Sequence, residues 1–102
     1  MIKHLVLLKF RSDVTGATIA GCFQALAALR GKVPGLVDFA GGPYSSPEGL
    51  QRGYTHGFVM TFESAASRDA YLPHPAHQAV AELIVGNLEG GLDGVVAFDF
   101  EA

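Results

Sequence analysis

Ile2-Lys3-His4-Leu5-Val6-Leu7-Leu8-Lys9-Phe10 is dense in branched and aromatic residues, has the length of a strand, and gives way to the polar turn residues Arg11-Ser12-Asp13. Side chains alternate across a strand, so Ile2, His4, Val6, Leu8 and Phe10 share one face, while Leu5 and Leu7, between Lys3 and Lys9, share the other. Both faces carry large apolar groups. A strand of this kind needs a covering layer on each side.

Downstream, Ile19, Cys22, Phe23, Leu26 and Leu29, then Val33, recur at three- and four-residue spacing, which predicts an amphipathic helix from about Thr15 to Arg30. Pro34-Gly35 stops it, and Leu36–Ala40 reads as a short second strand running into Gly41-Gly42-Pro43. The stretch from Tyr44 to Gly53, with its Gly, Pro and Ser, is expected to be an irregular surface loop. Tyr54–Phe62 is the third strand. A short helix starts at Glu63-Ser64 and runs to about Leu72, and a longer one begins with Pro75 in its first turn and reaches about Glu89. After the turn Gly90–Gly94, Val95–Phe100 forms the last strand.

The predicted order is βαββαβ, the split arrangement of the ferredoxin-like α+β class, with a four-stranded antiparallel sheet and its helices on one face. Those helices cover only one side of the first strand. The other side, with Leu5, Leu7 and Val59, is expected to meet the same face of a second copy, so a homodimer is predicted.

At 102 residues, the chain has the size of one domain spanning 1–102, and 49% hydrophobic against 17% charged residues is too apolar for a disordered chain. Seven Lys+Arg against ten Asp+Glu leave a net charge of −3 and no basic run, which argues against a nucleic-acid partner. Val14–Leu29 lacks charge but is interrupted by Thr, Gly and Gln, so no membrane partner is expected. The single Cys22 and the opening Met1-Ile2-Lys3-His4 point to a cytoplasmic location.

Four histidines are the candidates for chemistry, because imidazole titrates near neutral pH. His4 has the parity of Ile2, Val6 and Leu8, and His56 that of Phe58, Met60 and Phe62; His77 lies on the stripe of Val80 and Ile84. All three are expected to point between helices and sheet and to line one polar spot in an apolar space, joined by Tyr71 from just before the Pro73-His74-Pro75 break. The alternative is that each is a hydrogen-bonded core residue. His74 and His77 are three apart at a helix start, but no Cys cluster or carboxylate at ligand spacing accompanies them, so no metal is expected and His74 is read as a brace for the helix. Cys22 reads as an inert core thiol, and Glu48 and Arg52 as solvated loop charges.

Met1–Phe10, Ser46-Pro47-Glu48-Gly49-Leu50 with Gly53-Tyr54-Thr55-His56, and Tyr71-Leu72-Pro73-His74-Pro75-Ala76-His77 together resemble the stress-responsive dimeric α/β-barrel (Dabb) family, from end to end of the chain. The resemblance implies a ferredoxin-like protomer whose sheet packs on its twin's to form a dimeric α/β barrel. It also implies a use for the polar residues. A polyketide-cyclising member of the family has catalytic Tyr and His at the positions of Tyr71 and His77, and supporting histidines at those of His4 and His56.

The expected activity is therefore that of a small, cofactor-independent enzyme acting on a carbonyl or polyketide-like compound, with His77 as general base and Tyr71 as oxyanion donor. His4 and His56 would bind the substrate. Leu26 and Leu88 stand where that cyclase has bulky pocket aromatics, which implies a different substrate. The alternatives are a non-catalytic dimeric domain that binds a small apolar ligand in a stress response, and a heme or quinol monooxygenase of the kind found among related barrels.

Overall fold

The computed structural model describes residues 1–102. β1 (Ile2–Leu8), α1 (Gly16–Ala28), β2 (Leu36–Pro43), β3 (His56–Phe62), α2 (Ala65–Tyr71), α3 (Pro75–Val85) and β4 (Val95–Glu101) follow one another, with 3-10 turns at Leu29–Gly31 and Gly91–Gly94. The strands lie in the order β2-β3-β1-β4 and all neighbours are antiparallel. This is the expected ferredoxin-like sheet with its helices on one face. Along β1 the pleat acts as anticipated: Ile2, His4, Val6 and Leu8 are buried, and the residues between them are half-exposed.

Each helix starts on a side-chain acceptor that satisfies a free N–H of the first turn. Thr15 accepts from the Thr18 N–H at the start of α1, and Ser64 from the Ser67 N–H at the start of α2. α3 opens on His74, with Pro75 at the position where a missing N–H costs nothing. Cys22, Leu26 and Leu29 from α1 and its following turn, Tyr71 from α2 and Ile84 from α3 are buried with Val6, Leu8, Phe58, Met60 and Phe62 of the sheet. Burial also pushes the Cys22 thiol up, in keeping with an inert core group.

Two boundaries and one register differ from expectation. β2 continues through Gly41-Gly42-Pro43, because these residues find ladder partners in Phe58, Gly57 and His56. A bulge at Val37 shifts its register between Leu36 and Asp38, so that Leu36 and Phe39 both face the helices despite their odd spacing. α3 stops at Val85, where the side chain of Asn87 takes up the Leu83 carbonyl.

Gly35 joins α1 to the sheet under two constraints. Its φ is +82°, and a Cβ there would stand 2.3 Å from Ser67 Oγ, at the start of α2. Gly49, with φ +69°, has open space around it. Gly35→Ala is expected to lower the unfolding free energy by about 3 kcal/mol, against about 1–2 kcal/mol for Gly49→Ala, where only the backbone is strained. Urea denaturation checks this; equal losses would show that Ser67 yields freely.

Candidate active site

Between the inner sheet face and the α2–α3 corner lies a cavity of 250 Å³, and of its fifteen lining residues only His4 and His77 are not hydrophobic. Tyr71 adds the one further polar atom. Leu72 and Leu92 line the cavity while staying exposed to solvent, so they form its mouth. Without a cation or a carboxylate among its lining residues, such a space favours a neutral molecule over an ion.

His4 enters from β1, and its ladder partner across β4 is Asp99. His4 Nδ1 lies 2.6 Å from Asp99 Oδ1, and Arg68 Nη1, reaching over from α2, donates to Asp99 Oδ2 at 2.8 Å. Burial opposes the charge on Asp99, but the hydrogen bonds from Arg68 and His4 outweigh it and hold the carboxyl below the ordinary aspartate value of 3.8. A carboxylate only accepts, so the proton in the short contact belongs to His4 Nδ1, and in neutral His4 Nε2 is the free nitrogen.

His77, in the first turn of α3, is fixed in the same way. Its Nδ1 lies 2.8 Å from the carbonyl oxygen of Leu72, which also only accepts, so neutral His77 has its lone pair on Nε2. The break between α2 and α3 at Pro73 leaves that carbonyl outside the helical ladder. His74 is used locally: its Nδ1 accepts from the Ala76 N–H at 3.0 Å, the bracing role expected from the sequence. No group of three or more His, Cys, Asp or Glu is placed to hold a metal ion.

Tyr71 ends α2 and stands between the two imidazoles, its ring centroid 4.2 Å from that of His77 and 6.0 Å from that of His4. It is 1% exposed. Burial alone pushes its ionisation well above the ordinary tyrosine range, so at neutral pH it stays a phenol and offers a proton.

His56 does not join them, which corrects the expectation of four side chains around one cavity. It has the inward parity but the wrong height: it pairs with Leu8, whereas His4 pairs with Met60, four residues along β3 or about 13 Å away. It packs on Phe10 and Phe23, with Nδ1 2.9 Å from Thr55 Oγ1, and burial lowers its pKa. Leu26 lines the cavity, but Leu88 is a core residue bridged to Phe10. Asp99 and Arg68 were missed. Asp99 left a signal, since it shares the parity of Val95 and Ala97 in an otherwise apolar strand; Arg68 left none.

With this geometry in view, residues 2–102 match the stress responsive A/B barrel domain (Dabb). The chain belongs to that family. It is 33% identical over 100 residues to a stress-response A/B barrel domain-containing protein of Arabidopsis thaliana, covering 98% of this chain and 88% of that one. It is similar also to olivetolic acid cyclase of Cannabis sativa, 34% identical over 76 residues, covering 74% of this chain and 75% of the cyclase. Among solved structures, a dimeric ferredoxin-like protein of unknown function from Jannaschia sp. superposes with a TM-score of 0.89 at 33% identity, covering 99% of this chain and 98% of that one. No helix of this Dabb chain is long and apolar enough to cross a membrane.

Because Asp99 holds a proton less readily in the folded chain than in the unfolded one, it stabilises the fold above pH 3.8, and that contribution fades as pH falls through its lower folded value. Asp99→Asn should therefore lower the melting temperature most near neutrality, with the gap to the parent closing below pH 3.8. A gap independent of pH in melting curves from pH 7 to 2 would show that the charge of Asp99 is not engaged.

Proposed function

We propose that this Dabb protein is a homodimeric, cofactor-independent enzyme that enolises a neutral carbonyl compound, with a cyclase or lyase outcome set by the substrate. The observation that carries the reading is the pairing, in one apolar cavity, of an imidazole whose free Nε2 is set by the Leu72 carbonyl with a buried phenol 4.2 Å away, ring to ring. His77 Nε2 takes a proton from the carbon next to a carbonyl. The electron pair moves onto the carbonyl oxygen, and Tyr71 donates a hydrogen bond to it there. Enolisation changes no oxidation state, so a base and a donor suffice.

His4 acts from the far side of Tyr71. With Nδ1 tied to the Asp99–Arg68 pair, its Nε2 orients the substrate or exchanges a proton with it. The similarity to olivetolic acid cyclase supports this reading for Tyr71 and His77, and Leu26 in the cavity supports a substrate of different shape. The homodimer is supported by the dimeric solved relative and by the apolar outer sheet face.

Proton abstraction can be tested before the natural substrate is known. Incubated in D2O with a panel of neutral β-keto compounds, the protein should accelerate exchange of the acidic C–H, read by NMR. His77→Ala should lose on the order of 10³-fold, and Tyr71→Phe on the order of 10²-fold, with both variants still folded. No acceleration by the parent on compounds that measurably bind would instead establish a non-catalytic ligand-binding domain. Light scattering should give twice the chain mass of 10.7 kDa; a monomer at micromolar concentration would overturn the dimer.

A further inference from the structure

The three helices do not start alike. α1 and α2 open on the hydroxyls of Thr15 and Ser64, which accept from a first-turn N–H whatever the pH. α3, the helix that carries His77, opens on an imidazole: His74 Nδ1 accepts from the Ala76 N–H at 3.0 Å. An imidazole does this only while it is neutral with its proton on Nε2, the opposite tautomer to that of His77. Once the ring is protonated, both nitrogens donate. Nδ1–H then faces the Ala76 N–H, and a positive charge sits at the positive end of α3.

His74 also holds the two site residues through its backbone. Its N–H donates to the Tyr71 carbonyl at 3.0 Å, closing the turn between α2 and α3, and its carbonyl accepts from the Gln78 N–H at 3.0 Å. Pro75 has no N–H, so Ala76 carries the first amide of α3 that needs an acceptor. His77 therefore stands between two amides that are both tied to His74, and its own Nδ1–H reaches back to Leu72 in the same turn. Of these bonds to His74, only the one from Ala76 depends on the charge of its ring.

The charged groups of the flanking elements are engaged elsewhere. Arg68 and Asp69 of α2 pair with each other, and Arg68 also pairs with Asp99 of β4, which holds His4. Tyr71 stays a phenol, and Glu82 of α3 lies about two turns along the helix. None of them bonds to the His74 ring, which is partly exposed and open to protons from solvent.

We propose, resting on the enolisation reading above, that His74 is a proton-sensitive positioning residue: its neutral ring fixes the first turn of α3, and so the place of His77 beside Tyr71, and its protonation loosens that turn and switches the site off. Activity then requires two neutral imidazoles, His77 to act as base and His74 to hold it in place.

Two variants separate the cap from its charge. Asparagine caps a helix without titrating, and alanine does not cap. From about pH 7.5 to 5, where Asp99 stays ionised, exchange of a β-keto C–H by the parent should come to fall by more than about tenfold per pH unit at the acid end, and by no more than about tenfold in His74→Asn. His74→Ala should be slower than His74→Asn throughout. NMR follows the same switch without turnover: in the parent, the Ala76 amide and the Tyr71 ring signals should shift with the midpoint of the His74 ring, and that step should vanish in His74→Asn. An Ala76 step that persists in His74→Asn, or equal acid-side slopes for parent and His74→Asn, would overturn the switch. A parent that catalyses no exchange but shows the His74 step would overturn the enolisation reading and leave the switch in the geometry of the cavity standing.

Discussion

The two-residue pleat of β1 is the constraint on which the rest depends, because this strand is central, flanked by β3 and β4, and carries apolar side chains on both faces. Burying Ile2, Val6 and Leu8 under the helices carries His4 inward with them. A lone imidazole in that position needs a partner for its Nδ1–H, and the antiparallel ladder provides one directly opposite, in Asp99. The same alternation turns Leu5 and Leu7 outward, where the two-layer protomer has nothing to cover them.

β4 extends the division. Val95, Ala97 and Asp99 face inward, two lining the cavity and the third anchoring His4, while Val96, Phe98 and Phe100 face outward. The site and the apolar outer surface thus share one strand, and a shift of its register by one residue would exchange Asp99 for Phe98 or Phe100 beside His4. The ion pair to Arg68 works against such a slip: it ties the strand to α2 through a carboxylate that is held ionised.

The chemistry of the cavity follows from who can donate. His4 and His77 each give Nδ1–H to a group that can only accept, a carboxylate in one case and a carbonyl in the other, so both keep Nε2 free. Tyr71, driven toward its neutral form by burial, is the donor between them. Three polar side chains with complementary hydrogen-bonding roles in an otherwise apolar space are what the proposed enolisation requires, a fixed donor in place of water.

The sequence by itself determined the element order, the two-faced first strand, the helix starts and the inward parity of His4, because these follow from local periodicity and from capping chemistry within a few residues. It also put Tyr71 beside His77, since both flank one proline break. Height along a strand is not a local property. His56 has the right parity, yet its register with Leu8 sets it about 13 Å from the level of His4, among Phe10 and Phe23. The bulge at Val37 likewise reset the faces of β2, which no alternation pattern foretells. Arg68 reaches Asp99 from across 31 positions of chain, and only the docking of α2 on the sheet decided that contact, because its partner is set by tertiary packing rather than by any neighbour in sequence.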